Sequence, residues 1–233
     1  MANFKEMFPG PHVVLPVIHV ETPTQTLRNA EIALRAGCDG AFLISMRGMN
    51  YQGLLEMHRM VTREYPGWWL GVNFLDLPAE EVFDKLDQTI GGVWVDNAKI
   101  NEHLSLQADA TRISTARLHS QWEGLYFGGV AFKYQEHVDH PEQAAKIATK
   151  FVDVVTTSGT KTGSAPDIAK ISAMKQAMGN FPLGIASGIS PENVHQYKGT
   201  ADCFLTATSL LIPGTEVFDR NKVVRLVENV RAQ

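Results

Sequence analysis

Leu183-Gly184-Ile185-Ala186-Ser187-Gly188-Ile189-Ser190-Pro191 and Cys203-Phe204-Leu205-Thr206-Ala207-Thr208-Ser209 decide the fold of this chain. Each is a short apolar run that ends in small, hydroxyl-rich residues. Runs that are apolar on both faces belong to parallel strands buried between other layers. Six more such runs lie upstream, at residues 13–18, 41–45, 69–74, 92–95, 125–132 and 152–156. Helical patterns alternate with the strands at 24–36, 53–64, 79–87, 101–119, 141–150, 167–178, 191–196 and 216–231. Eight strand–helix units in 233 residues predict an α/β fold, a (β/α)8 TIM barrel in which residues 1–233 form a single domain. A doubly wound open sheet shows the same alternation. The count of eight and the small-residue turns after strands seven and eight favour the barrel, and no GxGxxG follows the first strand.

The boundaries carry consistent signals. Pro23, Pro78, Pro141, Pro166 and Pro191 stand at first helical positions, where a missing N–H costs nothing. Thr22 with Gln25 reads as a capping box, Ser190 as a cap for the turn begun by Pro191, and Gly37 and Gly179 as left-handed helix ends. Asp39, Asp153 and Asp202 each precede a buried strand. At strand N-termini, the stability face of a barrel, their reading is structural.

Composition narrows the function classes. A hydrophobic fraction of 44%, a charged fraction of 20% and a net charge of −4 describe an ordinary globular chain with no basic field for nucleic acid. Cys38 and Cys203 stand alone in apolar surroundings and read as buried thiols in a reducing compartment. The N-terminus lacks a signal-peptide pattern. The densest apolar run, 13–20, is broken by Pro16 and His19 and is too short to span a membrane. The expected location is cytoplasmic. Trp68, Trp69, Trp94 and Trp122 fall near strand ends or connections, where aromatics serve subunit contacts or internal packing, and a homo-oligomer is expected.

In a barrel the chemistry gathers at the C-terminal ends of the strands. Ser187, Gly188, Thr208 and Ser209 can offer backbone N–H groups, hydroxyls and helix dipoles to a phosphate. Lys133 is the lysine nearest a strand end. A desolvated amine there can act as base or form a Schiff base, or its charge can neutralise phosphate or pair with Asp96. Asp96 is a candidate base or an acceptor for sugar hydroxyls, and Asn73, at the end of strand three, is read with Lys133 and Asp96 as a catalytic group facing the reacting carbons. His19 reads as base, ligand contact or satisfied strand-end histidine. Ser158 and Lys161 belong to a Gly- and Thr-rich loop, 157–163, that forms a lid, a cavity wall or a flexible turn; with Arg47, which follows strand two, they are candidate substrate contacts, Lys161 and Arg47 closing on an anionic substrate. No metal is expected: Asp76 and Asp96 on neighbouring strands are thin evidence for a cation. His137 and His140 read as surface residues, and nothing in the sequence asks for an organic cofactor.

These residues also carry a resemblance. Ser158-Gly159-x-x-Thr162-Gly163-x-x-Pro166-Asp167, Ala186-Ser187-Gly188-Ile189-Ser190-Pro191-Glu192-Asn193, Ala201-Asp202 and Thr206-Ala207-Thr208-Ser209-Leu210 resemble the BtpA family. Fainter similarity runs through Gly71-Val72-Asn73 and Val95-Asp96-Asn97 with Arg112 and Arg117, and Lys133 stands where the family carries a strand-five lysine. The resemblance implies a phosphate-binding-type (β/α)8 barrel related to phosphoribosylanthranilate isomerase. The front half departs from the family pattern, reading His19-Val20-Glu21-Thr22-Pro23 and Ser45-Met46-Arg47-Gly48 where the family has a Gly/Pro-rich loop and a Glu-Asn pair. The expected activity is isomerase or lyase chemistry on a phosphorylated sugar, nucleotide or related metabolite. A non-catalytic assembly or regulatory factor on the same barrel is the alternative, consistent with a family name that derives from photosystem I biogenesis.

Overall fold

A computed structural model describes residues 3–46 and 48–232. Eight parallel strands, β1 (Val13–Val20), β2 (Gly40–Ser45), β3 (Trp69–Asn73), β4 (Gly92–Val95), β5 (Leu125–Gly129), β6 (Val154–Thr157), β7 (Leu183–Ala186) and β8 (Cys203–Thr206), pair in sequence order. β8 returns to β1 in the register Val13↔Cys203 to Pro16↔Thr206, so the barrel closes. The fold read from the sequence is the fold observed.

Alternation along each strand makes two cores. Leu15, Val17, Phe42, Trp94, Phe127 and Leu205 point into the barrel, while Val14, Ile18, Leu43, Val72, Tyr126 and Phe204 face the helical layer. The interior is filled by pairing large with absent side chains. A Cβ on Gly71 would stand 2.3 Å from the Phe42 ring, and one on Gly92 2.5 Å from the Trp69 ring. A short helix, α1 (Phe4–Met7), stoppers the N-terminal end: Phe4 packs on Phe127 and Phe8 on Trp69.

The aspartates at the strand starts act as read. Asp39 accepts the N–H of Val14 (2.9 Å), Asp153 that of Tyr126 (2.7 Å) and Asp202 that of Leu183 (2.9 Å). Each thus holds an N–H from the first two residues of the strand preceding its own. Asp202 also takes Lys175 (2.6 Å) and Lys5 (3.2 Å), and Asp153 takes Arg117 (2.5 Å).

The helical layer is α2 (Pro23–Arg35), α3 (Tyr51–Glu64), α4 (Ala108–Ser120), α5 (Pro141–Ala148), α6 (Ile168–Met178) and α7 (Arg220–Arg231). Two expected helices are absent. Residues 79–87 form two 3₁₀ turns and 191–196 hold another at Val194–Gln196. In the first, the tighter coil turns Ala79, Val82 and Phe83 inward together. Two other helices start later than the pattern suggested. Residues 101–107 are a loop folded around Gln107, which donates to the carbonyls of Asn101 and Leu104. Asp219, rather than Glu216, begins α7 by capping Asn221 and Lys222.

The tryptophans are used within the chain. Trp69 and Trp94 stand inside the barrel against Phe42. Trp122 donates to the Ile90 carbonyl and Trp68 to that of Cys38. Their internal use removes the argument for subunit contacts. Cys38 and Cys203 are free and buried, and burial pushes both thiols far above the ordinary range. Among the described residues no helix is long and apolar enough to cross a membrane.

Candidate functional site

At the C-terminal end of the barrel a cavity of about 320 Å³ opens between the loops that follow β6, β7 and β8. Its floor is apolar, made by Val17, Ile44, Trp94 and Leu205. Its wall is residues 187–190 on one side and 206–209 on the next, with Thr162, Gly163 and Ala165 from the β6 loop, and with His19 and Lys133.

The loops are fitted to each other closely. Ser187 and Gly188 both have positive φ, +94° and +78°. A Cβ on Gly188 would stand 2.1 Å from the Ser164 carbonyl oxygen. Gly163 donates its N–H to Ser187 Oγ (3.0 Å), so the β6 loop lies against the β7 loop as a cavity wall. The hydroxyls of Thr206 and Ser209 both donate to the Ile189 carbonyl (2.9 and 2.6 Å), clasping the β7 and β8 loops. Ser209's hydroxyl is thereby committed to the scaffold, and what it can offer a ligand is backbone. No α-helix starts behind either loop, so the expected helix dipole is missing and small-residue backbone remains.

Lys133 lies beyond the end of β5, which stops at Gly129. It is half-buried rather than enclosed, and its ammonium reaches Thr162 Oγ1 at 3.3 Å. The desolvated lysine of this face is another. Lys170 on α6 donates to the carbonyls of Ala131 (2.6 Å) and Ser158 (2.9 Å), and burial lowers its amine to about 8. It fastens the β5 loop to the end of β6. Ser158 is fully buried and its hydroxyl accepts the Lys133 N–H (2.8 Å), so it holds that loop rather than facing the cavity.

Asn73 donates to Asp96 Oδ1 (3.0 Å) on the neighbouring strand. Burial raises the Asp96 carboxyl above its ordinary range, opposed by the Asn73 hydrogen bond and the Lys133 charge. This pair lies beside the cavity, joined to it electrostatically through Lys133. Asp76 accepts the Tyr51 N–H (2.9 Å) at the start of α3 and shares no cation site with Asp96 among the described residues. Lys161 is exposed and does not line the cavity. Arg47 lies outside the described residues.

One participant escaped the sequence reading. Glu216 Oε2 is 2.7 Å from His19 Nδ1 on the cavity wall. The Glu216 carbonyl accepts Asn29 Nδ2 (2.7 Å) and Gln25 Nε2 (2.8 Å), and Asn29 Oδ1 accepts the Phe218 N–H (2.9 Å). Asn29 is fully buried. Two amides of α2 thus hold a remote loop so that its carboxylate meets His19. With Nδ1 held by the carboxylate, Nε2 is the ring nitrogen on the side away from Glu216. The signal available in sequence was the polar Asn29 at a core-facing helix position.

The sequence profile of the BtpA family matches residues 129–232. No curated protein matches the sequence. Among solved structures, (S)-3-O-geranylgeranylglyceryl phosphate synthase from Thermoplasma acidophilum, in complex with its substrate sn-glycerol-1-phosphate, superposes with a TM-score of 0.70 at 14% identity over 99% of each chain. Phosphoribosyl anthranilate isomerase from Thermus thermophilus gives 0.66 at 13% identity, covering 94% of this chain and 98% of that one. N-(5'-phosphoribosyl)anthranilate isomerase from Pyrococcus furiosus gives 0.62 at 14%, covering 94% and 99%. At these identities the likeness is one of fold.

Proposed function

We propose, for a chain that carries the BtpA family's sequence over residues 129–232, an enzyme of isomerase or lyase type acting on a small phosphorylated metabolite. The observation that carries this reading is one cavity bounded by the β7 and β8 loops, with Lys133 and the Glu216-held His19 on its walls. The backbone at Gly188, Thr208 and Ser209 is the candidate phosphate cradle, and Lys133 supplies the positive charge that the missing helix dipoles do not. His19 Nε2 is the candidate general base, oriented by Glu216 as a histidine is oriented by a carboxylate in other acid–base sites. Asp96, whose carboxyl burial raises against the Asn73 hydrogen bond and the Lys133 charge, is a candidate acid. A volume of about 320 Å³ lies at the small end of ligand pockets, which favours a sugar-phosphate-sized ligand over a nucleotide. That the solved neighbours include a structure with bound sn-glycerol-1-phosphate and phosphoribosyl-named isomerases supports the same ligand class.

The test is a thermal-shift screen of glycerol phosphates and pentose and hexose phosphates in buffer free of phosphate and sulfate. A ligand at 100 times its Kd adds roughly 2.7 kcal/mol. Lys133→Met is expected to keep the fold and lose affinity by roughly 1.5–3 kcal/mol, the worth of a charged hydrogen bond. Glu216→Gln is expected to keep affinity and lose conversion of the bound ligand, followed by phosphorus NMR. Binding with no conversion under any condition would favour the assembly-factor alternative; no binding at all removes the phosphate reading.

A further inference from the structure

Away from the cavity, the loops after β4 and β5 bring metal-ligating groups together. His103 Nε2 is 3.5 Å from Glu102 Oε1 and 3.5 Å from Asp139 Oδ2, and one ligand atom from each of the three residues lies within 4.8 Å of the others. His137 Nε2 is 3.3 Å from Asp139 Oδ1, and the His140 ring is edge-on to His103 with centroids 6.4 Å apart. His137 and His140 are exposed, as read from the sequence, and pair with carboxylates of their own segment, whereas His103 meets a carboxylate from a second loop.

We propose that Glu102, His103 and Asp139 form a binding site for a divalent transition metal of the zinc class, with His137 or water completing the coordination. Three observations carry it. The spacing suits such an ion: ligands about 2.1 Å from a tetrahedral centre stand about 3.4 Å apart, close to both His103 distances. The donor set, imidazole with carboxylates, suits zinc or cobalt rather than the all-oxygen shells of magnesium and calcium. The site is also built. Glu102 is 7% exposed, an unusual burial for a carboxylate, and the Asp139 N–H fixes its Oε1 at 2.9 Å. Gln143 Nε2 donates to the Glu102 carbonyl (3.1 Å), and the Asn101 side chain accepts the His103 backbone N–H (2.9 Å), so the backbone that carries two of the ligands is held in place.

A metal here staples the loop carrying Glu102 to the loop carrying Lys133, and so fixes the β5 loop. The inference stands on these residues and is independent of the reaction proposed above. The experiment is calorimetric titration of chelator-stripped protein with Zn²⁺, with visible absorption of the Co²⁺ form as a second readout. One equivalent is expected to bind, and Co²⁺ to show the intense bands of a tetrahedral site. His103→Ala and Asp139→Asn, both at exposed side chains, are each expected to weaken Zn²⁺ about 100-fold or more while melting as wild type without metal. His119→Ala, on α4 outside the cluster, serves as the control. Zn²⁺ affinity unchanged in the His103→Ala, Asp139→Asn double variant, an octahedral Co²⁺ spectrum, or preference for Mg²⁺ or Ca²⁺ over Zn²⁺ would each overturn the proposal.

Discussion

At Gly188 a single added methyl meets two obstacles, a φ of +78° and the Ser164 carbonyl oxygen 2.1 Å away. Backbone cannot yield as a flexible side chain does, so Gly188→Ala displaces the β6 loop or the β7 turn. The expected cost is about 3 kcal/mol in urea unfolding, the sum of left-handed strain and overpacking, together with loss of phosphate-ligand binding. Lys170 makes a different prediction. Burial lowers its amine from 10.5 to about 8. Between those values the unfolded chain holds the proton and the folded chain does not, so stability rises with pH across that window. Below about 8 both states are protonated and the slope from this group vanishes. The urea midpoint of wild type, measured against Lys170→Met, is expected to climb from pH 8 to pH 10; a flat difference would mean an amine of ordinary basicity.

Among elements, the strand starts are the most sharply specified. Asp202 answers the Leu183 N–H, Lys175 and Lys5 with one carboxylate, and its side chain is 12% exposed. Asp202→Ala leaves the Leu183 N–H without a partner and the mostly buried Lys175 ammonium with only the Phe181 carbonyl (2.9 Å), an expected loss of about 3–5 kcal/mol. Asp39→Ala frees one strand N–H and a long contact to Arg231 (3.5 Å), and is expected to cost about 1–3 kcal/mol. Equal losses in chemical denaturation would contradict this ordering. The same scale explains the helix misreadings. Proline and capping residues mark where a helix can begin, but Ser190 and Asn193 spend their side chains on local turn bonds, with Ser190 Oγ accepting the Glu192 N–H and Asn193 Oδ1 the Ser190 N–H. Such bonds compete with the helix they seem to announce.

Over the whole molecule, closure of the barrel leaves no strand edge, and the remaining weak end is the N-terminal opening. Phe4 and Phe8, 2% and 5% exposed, seal it against Phe127 and Trp69. Phe4→Ala is expected to cost about 3–5 kcal/mol and about 10 °C of melting temperature. A fall of only a degree or two would show the plug to be dispensable. The opposite end is open by design, with positive φ at Ala131, Tyr134 and Ser187 concentrated on the loops around the cavity, where strain accompanies function more often than elsewhere.

What the sequence determined by itself was whatever depends on neighbours along the chain. Alternating apolar runs and helix patterns specify eight buried strands, and small residues at 187–188 and 206–209 mark the cavity wall, because periodicity and turn chemistry are local. The aspartates were legible as structural for the same reason, since each stands directly before its strand. The tertiary structure decided which distant side chains meet. Glu216 reaches His19 only because Asn29 and Gln25, nearly 190 residues earlier, tie its loop to α2. Lys170 rather than Lys133 is the desolvated amine, because burial depends on what packs above a residue and not on its distance from a strand. His103 finds Asp139 only once β4 and β5 are adjacent. Pairings across a closed barrel leave no periodic trace in either partner, since each residue is chosen by a surface that exists only after the chain has folded.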